Sequence, residues 1–266
     1  MNKEITNFIK DKLPIIPLFG LVLGSGLSSL IDDVKDQKTI PYDEIPNFLQ
    51  TTVSGHVGEF IFGYIGKIPI LCAKGRFHYY EGKTIDEVTS IIKIFKEIGT
   101  PNVIITNSAG CVNPQWEIGD IMLISGHLDF TFREKTPQII CGEPMYPQRN
   151  LNFVRNIADE LNISLREGNY TWTLGPTYET PAEINKIREL GGHAVGMSTL
   201  PEIEKAHELG LNCWAFSNFT NMGAGMQNVT LTHGDVLEAS TINKDNFKKL
   251  IQNIIERYKN EPTSVI

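Results

Sequence analysis

The chain has 266 residues, 41% of them hydrophobic, and its 24 Lys and Arg against 31 Asp and Glu give a formal net charge of -7. That length suits one α/β unit with a sizeable core, so a single domain over 1–266 is expected. The negative balance argues against broad binding to nucleic acid or an anionic membrane, which rewards a positive surface, so an anion must be held by a local pocket. Leu13–Leu23 has the apolarity of a signal-peptide core, but Pro14, Pro17, Glu4 and Asp11 make a buried first strand the better expectation. No later apolar run reaches the roughly 18 residues of a membrane span. Cys72, Cys111, Cys141 and Cys213 show no CxxC pairing and no histidine at ligand spacing, so neither a metal site nor a disulfide framework is indicated. Free thiols suit a reducing compartment, and a soluble cytoplasmic protein is expected.

Leu18–Leu23 reads as the first buried strand. Gly24-Ser25-Gly26 follows it with a hydroxyl and backbone N–H groups suited to an oxyanion, although a plain tight turn explains it as well. As a dinucleotide fingerprint it fails, because Ser29 stands where the third glycine of GxGxxG belongs. His56, in SGHVGEF, reads as a loop histidine. Ile68–Ala73 is a second strand and leads into KGRFHYYEG, where Arg76, His78 and Tyr80 alternate. Successive side chains of an extended chain point to opposite faces. A forked cation, an imidazole and a phenol are therefore expected together at a strand's C-terminal end, where open α/β sheets bind ligands. The competing picture is a rim strand whose arginine meets a carboxylate and whose aromatic rings pack.

Thr84–Ile98 is expected as one helix, with a Thr84–Glu87 capping box, an apolar stripe of Val88, Ile91, Ile92 and Phe95, and a stop at Gly99 and Pro101. Gly82-Lys83-Thr84 imitates the end of a P-loop, but Phe77 occupies the first glycine position, which argues against a nucleoside triphosphate site. Strand Asn102–Thr106 precedes Asn107-Ser108-Ala109-Gly110, small residues that either let a ligand approach the backbone or mark an ordinary turn. Gly119–Ile124 is another strand, and 130–150, with Pro137, Pro144 and Pro147, is the least regular stretch. Glu179 and Tyr178 lie in GPTYETPAE. Helices Pro181–Leu190 and Pro201–Leu209 open on proline at the first turn. Met197, Ser198 and Thr199 precede the second, where a hydroxyl often only caps. After strand Cys213–Phe216, Asn218 and Asn221 read as turn formers and His233 as a helix-entry residue, before a C-terminal helix at Asp245–Tyr258. The alternation of strands and helices predicts a mainly parallel sheet covered by helices, and the four small polar elements point to a shared oxyanion site.

The ordered motifs GSG, SGHVGEFIFG, KGRFHYYEG, NSAG, GPTYETPAE, VGMSTLPE and FTNMGAG, spread over about residues 20–240, make the chain resemble the trimeric, 6-oxopurine-specific purine nucleoside phosphorylases. The resemblance implies a single-domain α/β fold with a mixed, mostly parallel sheet flanked by helices. It also implies a homotrimer that cleaves purine ribonucleosides with inorganic phosphate, a co-substrate and not a cofactor. Carried over by motif, Ser25, His56, Arg76, His78, the Ala109 backbone and Ser198 would hold phosphate. Tyr80, Met197 and His233 would face the ribose, and Tyr178, Glu179 and Asn221 would receive the base. Arg76, His78 and Asn221 would be the catalytic residues.

An ionised Glu179 would accept N1–H of a 6-oxopurine but would face a bare acceptor in adenine, so inosine and guanosine are expected over adenosine. Methylthioadenosine phosphorylases carry an aspartate where this chain has Asn221. The alternatives are a phosphorylase of that type or one accepting xanthosine, a hydrolase, and a nucleoside-binding protein without turnover. Relative to the family, the segment from His127 to Asn150 is shorter and lacks an RFGxRF-like stretch, whose phenylalanine would reach a neighbouring subunit's ribose. Phe130 or Phe132 would have to substitute. Ser108 and Cys111 stand where alanine and glycine are usual.

Overall fold

Strands buried on both faces carry continuous apolar runs, and β1 (Phe19–Val22) and β4 (Ile68–Lys74) lie in two such runs, the four residues of β1 all being buried. The computed structural model describes residues 3–51, 57–133, 136–227, 239 and 241–258. In them β1 pairs in parallel with β4 on one side and with β5 (Asn102–Cys111) on the other. β2 (Lys35–Pro41) and β3 (Glu59–Ile65) extend the β4 edge as antiparallel neighbours. On the far side stand β6 (Ile121–Asp129), β7 (Ile139–Cys141), β8 (Leu165–Trp172), β9 (Ala194–Gly196) and β10 (Asn212–Met222). β10 pairs with both β5 and β6, so the ladders close a circuit β5–β9–β8–β6–β10 and back to β5. The expected mixed sheet is therefore present as one ten-stranded assembly, with five parallel and five antiparallel ladders.

The flanking helices are α1 (Lys3–Lys12), α2 (Ile85–Val88), α3 (Ser90–Ile98), α4 (Gln148–Glu160), α5 (Pro181–Glu189), α6 (Leu200–Glu208) and α7 (Lys244–Arg257). α7 buries Phe247, Leu250, Ile251, Ile254 and Ile255, a three-and-four spacing that makes one apolar face. The single helix expected over Thr84–Ile98 is two. Its capping box and its left-handed Gly99 terminus are present, but Thr89 Oγ1 bonds back to the Ile85 carbonyl at 2.8 Å and separates α2 from α3. A threonine hydroxyl competing for the i−4 carbonyl bends helices in this way.

α3 presses its buried apolar face close against β1. A β-carbon on Gly20 would lie 2.5 Å from the Phe95 ring, and Phe95 is fully buried. Gly20→Ala should therefore overpack this contact and destabilise the fold by about 1–3 kcal/mol. Chemical denaturation measures the loss, and an unchanged midpoint would mean that the sheet and α3 can separate freely.

Candidate active site

Two strand ends and the middle of a third build the floor. The loop after β1 runs so close to β5 that a β-carbon on Gly24 would lie 2.6 Å from the Asn107 Cα. Gly24 N–H donates to Thr106 Oγ1 (3.2 Å), whose hydroxyl donates to the Val22 carbonyl (3.1 Å). Ser108 Oγ donates to the Ser25 carbonyl at 2.7 Å. These three bonds stitch the Gly24-Ser25-Gly26 loop to β5.

Strand alternation does not carry Arg76, His78 and Tyr80. β4 stops at Lys74, Gly75 turns the chain at φ +135°, and Tyr80 sits in a 3₁₀ turn over Tyr79–Glu81. His78 and Tyr80 nonetheless touch, and Arg76 lines the same cavity. His78 N–H donates to Glu81 Oε1 at 2.6 Å, the ring Nδ1 stands 3.4 Å from the same oxygen, and the imidazole stacks on Tyr80 with centroids 4.9 Å apart. Burial first, then the charge of Glu81, push the Tyr80 phenol up to about 12, so it remains a donor.

Arg76 is 1% exposed. Its Nη1 donates to Ser198 Oγ (3.1 Å) and Thr199 Oγ1 (3.4 Å), and its Nη2 lies 3.5 Å from Glu202 Oε2. Of the two sequence expectations, the structure shows the arginine meeting a carboxylate, but from a buried bend and not from a rim strand. Thr199 has φ +73° and ψ -50°, and Leu200 N–H donates to the Ser198 carbonyl at 2.8 Å. That is a γ-turn of the strained hand, an outlying conformation for a β-branched residue. Asn107 Nδ2 donates to Thr199 Oγ1 at 3.0 Å and helps hold it there.

A further part of the lining comes from the segment after β8 and from β10. Thr173 Oγ1 donates to Glu179 Oε1 at 2.6 Å, and burial raises the Glu179 carboxyl above its usual range against the opposing Thr173 bond. Tyr178 is 44% exposed at the mouth. Asn218 and Asn221 are not turn residues, because β10 continues to Met222; a register shift between Phe219 and Asn221 bulges the strand. Such an irregularity re-aims a side chain. Asn221 Oδ1 accepts from Thr220 Oγ1 at 3.1 Å and its Nδ2 donates to the Met222 carbonyl at 3.0 Å.

Ser25, Arg76, His78, Tyr80, Ala109, Tyr178, Glu179, Met197, Ser198 and Asn221 line one cavity of about 760 Å³, its open mouth included. His56 and His233 lie outside the described residues.

A family model described as the phosphorylase superfamily matches residues 19–256. Purine nucleoside phosphorylase 1 of Geobacillus stearothermophilus is 37% identical over 265 residues, which cover 95% of this chain and 96% of that one. Among solved structures, isoform 2 of the Schistosoma mansoni purine nucleoside phosphorylase, in complex with cytosine and ribose-1-phosphate, superposes with a TM-score of 0.88 at 33% identity, covering 97% of this chain and 96% of that one. The S. mansoni purine nucleoside phosphorylase in complex with adenosine gives 0.87 at 30% identity, with 97% of each chain covered. The chain belongs to the purine nucleoside phosphorylase family.

Three residues that the sequence did not single out stand behind the cavity lining, bonded to Arg76, His78 and Glu179. Glu202 follows Thr199 at capping-box spacing, and a helix-capping role would be assumed; yet Thr199 makes no side-chain cap bond, because its hydroxyl serves Asn107 and Arg76. Glu81 and Thr173 carry no sequence signal beyond standing near named motifs. Neither Phe130 nor Phe132 lines the cavity: Phe130 is buried in a small cluster with Leu128 and Ile184, and Phe132 is 64% exposed at φ +56°.

Ser108 replaces the alanine usual in these phosphorylases, and its 2.7 Å bond fixes the Ser25 loop. Ser108→Ala should lose a net ~0.5–1.5 kcal/mol of that restraint. Sulfate binding weakened several-fold would register it, whereas unchanged binding would make the bond incidental to the loop.

Proposed function

We propose that the protein is a purine nucleoside phosphorylase that cleaves inosine and guanosine to the free base and ribose 1-phosphate. One observation carries this most directly. A buried guanidinium, an imidazole and a serine hydroxyl meet on a cavity floor, opposite a half-buried carboxylate and an asparagine. The first cluster suits an oxyanion, and the second suits a flat heterocycle with N–H donors. That relatives were crystallised with adenosine and with ribose-1-phosphate supports a nucleoside and its phosphorolysis product as the molecules handled.

In this reading phosphate is held by Ser25, Arg76, His78, the Ala109 backbone and Ser198, with His56 in the adjoining motif. A phosphate oxygen forms a bond to C1′ of the ribose as the C1′–N9 bond breaks, and the electron pair of that bond passes to the purine. The sugar becomes oxocarbenium-like between the two, and the anion beneath it offsets the positive charge. Phosphate is already anionic, so positioning and charge-assisted hydrogen bonds replace a general base. Tyr80, Met197 and His233 face the ribose. Asn221 bonds the N7/O6 edge of the base, and that contact strengthens as negative charge gathers and N7 takes up a proton. No cofactor is needed, because phosphate is consumed. A homotrimer is the assembly that the family implies, and exposed Phe132 and Ile140 would suit its contacts.

Glu179 sets the preference for 6-oxopurines. It accepts N1–H when ionised, and would be left opposite a bare acceptor by adenine. Because the S. mansoni relative holds adenosine in its crystal, discrimination here is expressed in kcat/KM and not in binding alone.

Hypoxanthine should be released from inosine only when phosphate is supplied; release at equal rate in its absence would identify a hydrolase, and none under any condition a binding protein. Arg76→Ala should cost on the order of 10² to 10³ in kcat/KM, and wild-type kinetics would remove Arg76 from the site. Because burial raises the Glu179 carboxyl, kcat/KM for inosine should fall by up to about tenfold per pH unit on the acid side, as that group protonates and stops accepting N1–H. Glu179→Gln should abolish this acid limb while leaving the melting temperature nearly unchanged, and a limb retained in the variant would assign it to another group.

A further inference from the structure

No step above uses Glu202. It is the third residue of α6, is 1% exposed, and lies with Oε2 3.5 Å from Arg76 Nη2. A carboxylate in such a place needs a countercharge, and the guanidinium supplies it. The pair is then close to neutral, and a neutral pair attracts a phosphate dianion poorly. Docking the dianion on the same guanidinium would set two anions about one cation in a poorly screened interior, where like charges repel far more strongly than in water. One of them must shed charge.

We infer that Glu202 takes up a proton from solvent as the substrate phosphate docks, so that Arg76 exchanges its protein carboxylate for the ligand as counter-ion. This rests on the phosphate-site reading given above. The balance is simple: one carboxylate and one proton become a carboxyl group, no other bond changes, and the proton leaves when ribose 1-phosphate departs. Glu202 is thus a positioning residue that holds Arg76 in the empty enzyme and yields it in the loaded one.

The surroundings favour Glu202 as the acceptor. Burial, the largest influence, already holds its carboxyl above the usual range, with the Arg76 and His78 charges opposing. Tyr42, Cys213 on β10 and Tyr170 on β8 are near this pair, and burial drives all three upward, so they stay protonated throughout. His78, paired with Glu81, is the rival acceptor, since its imidazole lines the same cavity and can also bind a proton.

Sulfate is the probe, since it mimics phosphate but does not titrate near neutrality. Its affinity would be measured by calorimetry on the full chain and on Glu202→Gln and His78→Gln, between about pH 6 and 8.5. In the wild type the dissociation constant should rise with pH, by up to about tenfold per unit for one coupled proton. Glu202→Gln should bind more tightly than wild type at the alkaline end and lose most of the slope, whereas His78→Gln should bind more weakly and keep it. A flat wild-type profile, a slope retained in Glu202→Gln, or a slope lost in His78→Gln would each overturn the inference. If Glu202→Gln does not fold, the His78→Gln slope decides alone. Sulfate that fails to bind the wild type at any pH would strike at the phosphate-site reading instead.

Discussion

A cation held in the dry interior is the constraint around which the rest of this molecule is arranged. Arg76 is almost wholly buried, and a guanidinium cannot escape its charge by losing a proton. The structure must therefore answer it with hydroxyls and a carboxylate drawn from another part of the chain. Ser198, Thr199 and Glu202 come from the β9–α6 junction, more than a hundred residues further on. Their convergence demands that β9 end beside β5, and Asn107 of β5 completes the arrangement through the Thr199 hydroxyl. The strained turn at Thr199 follows from the same demand, since its side chain satisfies two partners in the core and leaves the helix end uncapped.

Local rules were read correctly where local interactions decide. The Thr84–Glu87 capping box, the Gly99 terminus, the proline start of α5 and the C-terminal helix α7 depend on neighbours within one or two turns. The site motifs were legible because small and polar residues interrupt apolar strands at several places. Expectations failed where a distant partner or an unrecognised turn intervened. Arg76, His78 and Tyr80 line one cavity, yet through a glycine bend and a 3₁₀ turn instead of strand alternation. β2 carries mostly exposed residues and β8 mixes charge with aromatics, so neither offers the apolar run by which β1 and β5 are found. Glu202 was hidden by its spacing, because an acid three residues after a threonine is the ordinary sign of a capped helix.

The two sides of the cavity are built on different physical terms. The part around Arg76 and Ser25 is made of a loop stitched to β5 and a buried ion pair. The part around Glu179 relies on the 174–180 segment, whose carboxylate is tethered to the strand end by the Thr173 hydroxyl. Gly175 is needed there, because it has φ +70° and a β-carbon on it would meet Met197 Sδ at 2.4 Å. Backbone and ribose-facing side chain are thereby packed without spare room.

The closed circuit of β5, β9, β8, β6 and β10 also bears on how this scaffold can diversify. An open sheet can admit a bulkier guest by splaying two edge strands, but a ring of hydrogen-bonded ladders would have to break one of them. Acceptance of larger or differently shaped molecules therefore rests on the side chains lining the cavity and on the connecting segments, not on the spacing of the ladders. The exposed segment around Tyr178 can vary with no cost to those ladders.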